Sequence, residues 1–156
     1  MKKITLLLLS AVFICQMAFA QSLTADKVPS AVTSAFKGKF PSATSPTWQM
    51  KSGKIYESKF KLNDQMVSAS FDETGKWQKT ETELKTTALP SSVQSTLSKD
   101  FAGYKVNEAS KIDEAQKGSC YEAAIAKGTE MYDVQFSPEG KMLSKTKAPA
   151  DKTAKG

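Results

Sequence analysis

Two pairs of carboxylates have a spacing that could support hydrolytic chemistry. Glu81 and Glu83 would share one face of a strand, and Asp113 is adjacent to Glu114. Two carboxylates act as general acid and base when an apolar environment raises the pKa of one of them. No apolar run surrounds either pair, so solvated charges on strands and turns are the favoured interpretation. A hydrolase that uses Glu81 or Glu83 remains the minor alternative.

The residue types that are missing exclude several other chemistries. The 156 residues include no histidine, and all 22 basic residues are lysine, against 16 acidic residues. Without histidine there is no imidazole base, no Ser-His-Asp triad and no histidine-ligated zinc. Without arginine there is no bidentate group that reads guanine or clamps phosphate. We therefore expect no enzyme, no cofactor, no metal and no nucleic-acid partner, although the isoelectric point is about 9.2.

One acidic segment has a superficial likeness to a metal-binding loop. Asp72-Glu73-Thr74-Gly75 begins like a calcium loop, but the alternating acidic ligands and the distal glutamate of such loops are missing. Aspartate followed by threonine and glycine is typical of a turn. The segment is therefore predicted to be a hairpin turn.

The first twenty residues are typical of a secretory signal peptide. Lys2 and Lys3 precede an apolar run that ends in Ala18-Phe19-Ala20, which matches an A-x-A cleavage site. Residues 1–20 are therefore predicted to be cleaved after Ala20, and the mature protein is expected to be periplasmic or secreted. Cys120 then remains without a cysteine partner, and its apolar–polar surroundings predict a buried or half-buried residue.

The sequence contains an internal repeat. Val28-Pro29-Ser30-Ala31-Val32 reappears as Leu89-Pro90-Ser91-Ser92-Val93, and Phe71 with Gly75 reappears as Phe136 with Gly140. In each copy apolar residues recur every four positions, which predicts a helix, and an apolar–polar alternation follows, which predicts strands. The predicted strands lie at about 44–50, 56–62, 67–71, 76–84, 104–112, 121–125, 132–136 and 141–146.

These patterns predict an α+β fold built of two tandem α-β-β-β-β units. Each helix would cover one face of a curved antiparallel sheet and leave the other face open. The predicted divisions are a signal peptide (1–20), an N-terminal lead (21–27), unit one (28–88), unit two (89–146) and a disordered tail (147–156).

The order of several motifs resembles the PepSY-like, β-lactamase-inhibitor-protein-like family of exported bacterial proteins. The motifs are Leu-Pro-x-x-Val before a helix, a tryptophan at Trp48, Tyr-Glu-x-x-Phe from Tyr56, and Phe-Asp-x-x-Gly from Phe71. The resemblance covers about 28–146 and implies two joined helix-and-sheet units that bind rather than catalyse. It also implies that the open sheet face grips a protein, as in the inhibitor members. Those inhibitors are stapled by disulfides and this chain is not, so inhibition of β-lactamase is not carried over.

Strand alternation identifies the residues expected on the open face. If Tyr56, Phe60 and Phe71 face the helix, the alternate residues face outward. A turn at 72–75 would pair Ser70 with Trp77 and add the odd positions of the next strand, whereas a register shifted by one residue would place Trp77 in the core. The candidate partner-binding residues are Glu57, Lys59, Lys61, Met66, Ser68, Ser70, Trp77, Lys79 and Glu81.

The function that the sequence favours is an exported, non-catalytic binding module. Its partner would be a protein, such as an envelope enzyme or peptidase, held by the open sheet face. A periplasmic carrier of a small ligand or lipid, with the sheet as its cradle, is the alternative.

Overall fold

The computed structural model describes residues 21–148, so the predicted signal peptide and residues 149–156 of the predicted tail lie outside the described residues. Residues 21–148 form two α-helices and nine strands, together with three short 3-10 helices. The helices are α1 (Ser30–Lys39) and α2 (Ser91–Asp100), and the strands are β1 (Gln21–Leu23), β2 (Thr44–Lys51), β3 (Ile55–Leu62), β4 (Gln65–Phe71), β5 (Trp77–Leu84), β6 (Lys105–Glu114), β7 (Gly118–Lys127), β8 (Glu130–Phe136) and β9 (Met142–Lys147).

All the described strands belong to one antiparallel sheet, in which strands that follow each other in the chain are also neighbours. Both helices lie on the same face of it. Val67 packs in the cluster under α1 and pairs with Thr82, and on the same face of β5 Leu84 pairs with Ala109 in the cluster under α2. The α+β class and the antiparallel sheet are therefore confirmed.

The helices form where the four-residue spacing predicts them. Pro29 and Pro90 immediately precede α1 and α2, where the missing amide hydrogen of proline costs no helical hydrogen bond. Val32 and Val93 are completely buried, one in each helix. Each helix therefore docks on the sheet through one apolar stripe.

Each helix covers its own hydrophobic cluster. Under α1 the cluster is mainly aromatic: the ring of Phe36 lies 5.2 Å from that of Trp48 and 4.9 Å from that of Phe60, centroid to centroid. Under α2 the cluster consists mainly of aliphatic side chains, together with Phe101 and Phe136, whose ring centroids are 6.3 Å apart. Each half of the sheet is thus joined to its helix by a hydrophobic cluster, but the cluster under α1 is mainly aromatic and the cluster under α2 mainly aliphatic.

Two hairpin turns touch the helices through glycine. Gly75 and Gly140 have φ of 85° and 84°, a conformation that other residues rarely adopt. A Cβ atom at Gly75 would lie 2.6 Å from the carbonyl oxygen of Ala31, and one at Gly140 would lie 2.5 Å from that of Ser92. Both turns are therefore pressed against the first turn of a helix, at a distance that only glycine allows.

Two features at the ends of residues 21–148 were not predicted from the sequence. The predicted N-terminal lead contains β1, a strand of three residues that is too short to show an alternating pattern. β9 extends through Lys147, the first residue of the predicted tail, and Ala148 is buried. Within residues 21–148, neither helix is long and apolar enough to cross a membrane.

Candidate partner-binding face

The face of the sheet opposite the helices is the candidate functional surface, here called the open face. Strand pairing arranges its central side chains in rows across the sheet. One row runs Gln49–Glu57–Ser70–Lys79–Glu114, and the next runs Thr47–Lys59–Ser68–Glu81–Ile112–Cys120. Beside them Lys61 pairs with Met66, and a further row on β5–β8 runs Glu83–Ser110–Glu122–Gln135. Eight of the nine predicted partner-binding residues therefore share this face.

Trp77 is the exception, and its predicted pairing with Ser70 is wrong. Ser70 pairs with Lys79, and Phe71 pairs with Trp77, so that Gln78 is an extra residue in β5. This bulge turns the indole to the helix side, where it packs against the cluster under α1. The indole nitrogen donates a hydrogen bond to Thr80 Oγ1 at 2.9 Å. The structure thus places Trp77 with the core, the alternative that the sequence left open.

Glu57 is buried on the open face although it was expected to be exposed. Only 4% of the residue is exposed, and two side chains of β2 contact its carboxylate. Gln49 Nε2 donates to its carboxylate at 2.5 Å, and Lys51 Nζ lies 2.6 Å from the other oxygen. Burial alone would raise the pKa of Glu57, but the hydrogen bonds from Lys51 and Gln49 outweigh it and hold the pKa below its ordinary value. Glu57 is therefore an ionised and fixed group.

The region around Glu57 carries both signs of charge. Burial alone would lower the pKa of Lys79, but Glu81, which lies 3.0 Å from Lys79 Nζ, together with Glu57 and Glu122 outweighs it and holds the pKa above its ordinary value. Lys59 and Lys61 are exposed, and neither ammonium forms an ion pair with any described residue. A hollow of about 160 Å³, the central hollow, lies among these groups; it is lined by Lys51, Glu57, Lys59, Met66, Val67, Ser68, Lys79, Glu81 and Glu83.

The neighbouring part of the open face, over β5–β8, is acidic. A hollow of about 560 Å³, the acidic hollow, has five carboxylates in its lining: Glu81, Glu83, Glu108, Glu122 and Asp133. Of these only Glu81 was predicted as a partner-binding residue. Continuing the alternation of inward and outward residues through the second half of the chain could have found the others.

The open face does not have the chemistry of a lipid cradle. Charged side chains make up six of the nine residues that line the central hollow and five of the ten that line the acidic hollow. An acyl chain would have to desolvate them without offering hydrogen bonds in return, which is costly. This surface therefore favours a polar partner.

The structure separates one of the two candidate carboxylate pairs, Asp113 and Glu114, whereas Glu81 and Glu83 lie on the same face of β5 and line the same hollows. Asp113 lies in line with Thr80 on the helix side of the sheet, and Glu114 lies with Lys79 on the open face. Burial would raise the pKa of Asp113, but hydrogen bonds from Ser119 and Lys111 hold it below its ordinary value, which makes the group a poor general acid. In this arrangement the pair cannot act on one substrate atom.

The predicted turn at 72–75 is confirmed, and its carboxylate serves the turn itself. Asp72 Oδ1 accepts hydrogen bonds from Thr74 Oγ1 at 2.6 Å, from the Thr74 amide at 2.9 Å and from the Lys76 amide at 3.1 Å. The hydrogen bond from the Thr74 side chain is the main reason why the pKa of Asp72 is below its ordinary value. Across residues 21–148, no three histidine, cysteine, aspartate or glutamate residues are arranged to hold a metal ion.

Cys120 is half-buried on the open face, as its sequence environment indicates. It pairs with Ile112, which is buried. Burial, followed by the charges of Glu114 and Glu122, raises the pKa of the Cys120 thiol. A raised thiol pKa lowers the thiolate fraction, so Cys120 is poorly suited to be a nucleophile.

Comparison with known proteins identifies the family of this chain. The model of the family described as beta-lactamase-inhibitor-like, PepSY-like, matches residues 54–144, which is more than half of the chain. The chain belongs to the PepSY-like family. A comparison with curated proteins finds no match.

Several solved structures share the fold. A BLIP-like protein from Bacteroides fragilis is 24% identical, with a TM-score of 0.71 over 77% of this chain and 86% of that chain. A DUF2874 family protein from Bacteroides ovatus is 20% identical, with a TM-score of 0.73 over 79% and 89%. A protein from Bacteroides eggerthii that is described as periplasmic is 18% identical, with a TM-score of 0.72 over 77% and 88%. At these identities the likeness establishes a common fold for the PepSY-like chain.

Proposed function

We propose that this PepSY-like protein is an exported, non-catalytic module that binds a protein partner through the open face. The observation that carries the proposal is the asymmetry of the sheet. Helices cover one face, whereas the other presents charged side chains that are partly fixed in advance, such as Glu57 between Gln49 and Lys51. Side chains that are already ordered lose little conformational entropy on binding, which favours association.

Export is the second part of the proposal. Cleavage of the signal peptide after Ala20 would leave Gln21 as the first residue of the mature chain, and Gln21 is also the first residue of β1. The likeness to a Bacteroides eggerthii protein described as periplasmic supports the same compartment. We therefore place the mature protein in the periplasm or outside the cell.

The third part is that the fold consists of two tandem units, residues 28–88 and 89–146. Matched pairings support it: Leu23 pairs with Trp48, and 61 residues later Leu84 pairs with Ala109. The contacts of Gly75 and Gly140 with the two helices repeat in the same way. Joining two units in one sheet would double the width of the open face and so provide a surface large enough for a protein partner.

The partner that fits best is a folded protein with both acidic and basic groups on its contact surface. Lys59 and Lys61 offer positive charge outside any ion pair with a described residue, and Glu83 and Glu122 lie in the same region of the sheet. The resemblance to inhibitors suggests an envelope enzyme or peptidase, which the module would block or position without taking part in catalysis. Complementary charge would mainly increase the association rate and the specificity.

A charge-reversal capture experiment tests this proposal. The bait is the mature protein carrying Lys59→Glu and Lys61→Glu, compared with the wild type in envelope extract. The matched control carries Lys37→Glu and Lys99→Glu, two exposed lysines on the helices. We expect the open-face variant to lose the captured protein and the helix variant to keep it. Equal capture by both variants, with unchanged melting temperatures, would contradict the proposal.

A further inference from the structure

A hollow on the helix side of the sheet has no role in the proposed partner binding. It measures about 370 Å³ and lies between the C-terminal end of α2 and strands β6 and β7. Leu97, Phe101, Tyr104, Val106 and Ile125 supply its apolar walls. We call it the α2 hollow. Its volume is at the lower end of the range for small-molecule sites, about 300–1,000 Å³, which suits a ligand with one ring.

The first half of the sheet shows what fits in such a place. Phe36 occupies in α1 the position that Leu97 occupies in α2, because the carbonyl oxygen of each accepts the amide of the phenylalanine that ends the helix. Likewise Phe60 of β3 pairs with Val67 of β4, and Ile125 of β7 pairs with Tyr132 of β8 at the equivalent place in the second half.

In the first half these positions are filled by rings. The centroid of Phe60 lies 4.8 Å from that of Phe40 and 4.9 Å from that of Phe36. In the second half Leu97 and Ile125 replace two of these three rings and Phe101 is retained, while the rings of Tyr104 and Tyr132 pack against the cluster from its edge. The α2 hollow is therefore a place where the same backbone framework accommodates aromatic rings.

The rim of the α2 hollow is positively charged on two sides. Lys127 Nζ is 5.6 Å from the centroid of the Tyr104 ring, and Lys145 Nζ is 5.5 Å from that of Phe101. The carboxylate at this rim, Glu130, accepts a hydrogen bond from the Tyr104 hydroxyl at 2.5 Å. That hydrogen bond is the main cause that raises the pKa of Tyr104 to about 12, so the hydroxyl stays a donor to Glu130.

We propose that the α2 hollow binds a small aromatic carboxylate. Its ring would take the place that the rings of Phe36 and Phe60 take in the first half, and its carboxylate would lie beside the ammonium groups of Lys127 and Lys145. This site lies on the opposite side of the sheet from the open face and goes beyond the proposed protein binding. Ligand binding in the α2 hollow and protein binding by the open face are independent proposals, and either can be correct without the other.

The test uses 3-phenylpropionate as the probe and the mature full chain labelled with nitrogen-15. Amide chemical shifts are followed during a titration to about 20 mM, because a ligand with one ring is expected to have a Kd of about 1–10 mM. We expect saturable shifts for residues 97–106 and for Ile125, without shifts on the open face. The absence of saturable shifts in these residues would overturn the proposal.

Two variants show whether the α2 hollow itself is the site. Leu97→Phe with Ile125→Phe supplies the rings that the first half contains, so the probe should no longer bind while the melting temperature stays the same or rises. Unchanged binding by this folded variant would overturn the proposal.

The second variant, Lys127→Gln, removes charge without filling space, which keeps the test decisive if the ring-filling variant does not fold. We expect its Kd for 3-phenylpropionate to rise about fivefold and its Kd for the neutral benzyl alcohol to stay the same. Lys117→Gln, at the exposed turn between β6 and β7, is the control and should change neither constant. Identical affinities for the carboxylate in wild type and Lys127→Gln would contradict the proposed role of the rim.

Discussion

Replacing Gly75 by alanine tests how the hairpin turns position the sheet under the helices. At Gly75 φ is 85°, and an added Cβ would lie 2.6 Å from the carbonyl oxygen of Ala31 and 2.9 Å from its carbonyl carbon. Both atoms belong to the backbone of α1, so no side-chain rotation can relieve the overlap. The turn between β4 and β5 must therefore move away from the helix or distort.

The expected loss of unfolding free energy has two components, and substitutions at two other glycines allow them to be measured separately. A left-handed conformation costs an alanine about 1–2 kcal/mol, and displacement of a packed backbone adds about 1–3 kcal/mol. We expect Gly75→Ala to lower the free energy of unfolding by about 3 kcal/mol. Gly118 has φ of 77° but nothing within 4 Å, so Gly118→Ala should show only the first cost. Gly38 lies in α1 with open space around it, and Gly38→Ala should stabilise the protein by about 0.5–1 kcal/mol.

Urea unfolding of the three variants, followed by circular dichroism, measures these differences. The order of stability should be Gly38→Ala, wild type, Gly118→Ala and then Gly75→Ala. Equal losses for Gly75→Ala and Gly118→Ala would refute the close contact between the turn and α1.

Three further predictions concern the open face and its surroundings. Trp77→Ala should cost about 2 kcal/mol of unfolding free energy in urea, because the indole packs against the core, and should leave partner capture unchanged. The lowered pKa of Glu57 gives a stabilisation that is full above the ordinary glutamate pKa, about 4.3, and is lost as the pH falls through the lowered value. The stability difference between wild type and Glu57→Gln should therefore shrink between pH 7 and pH 3 in urea titrations, and a constant difference would contradict the Lys51–Glu57 contact. Cys120, with its raised thiol pKa, should react with a maleimide more slowly than a free cysteine at pH 7, and an equal rate would show that the thiol is accessible and ordinary.

The helices and most strands could be predicted because their apolar spacing is regular. Val32 and Phe36 recur at the helical period, and Phe60 and Val67 alternate with polar neighbours, so burial alone determines which face they present. The same alternation gave the correct face for Lys59 and Glu81 because β3, β4 and most of β5 pair without interruption.

The features that could not be predicted depend on three-dimensional neighbours. The bulge at Gln78 moves Trp77 to the other face, and a single extra residue in a strand leaves no mark on the sequence pattern. Glu57 is buried and its carboxylate contacts Gln49 and Lys51, which come from a strand whose register was not assigned. The three-residue strand β1 is formed by its pairing with β2 rather than by any local pattern.

Site-specific photo-crosslinking tests most directly whether the open face is the partner-binding surface. A benzophenone amino acid replaces Met66, which is 38% exposed on the open face, or Ser95, which is exposed on α2. After irradiation of the exporting cells, we predict a discrete crosslinked product from position 66 that disappears when Lys59→Glu and Lys61→Glu are added. Position 95 should give none. A product from position 95 alone, or one from position 66 that survives the charge reversal, would contradict the account.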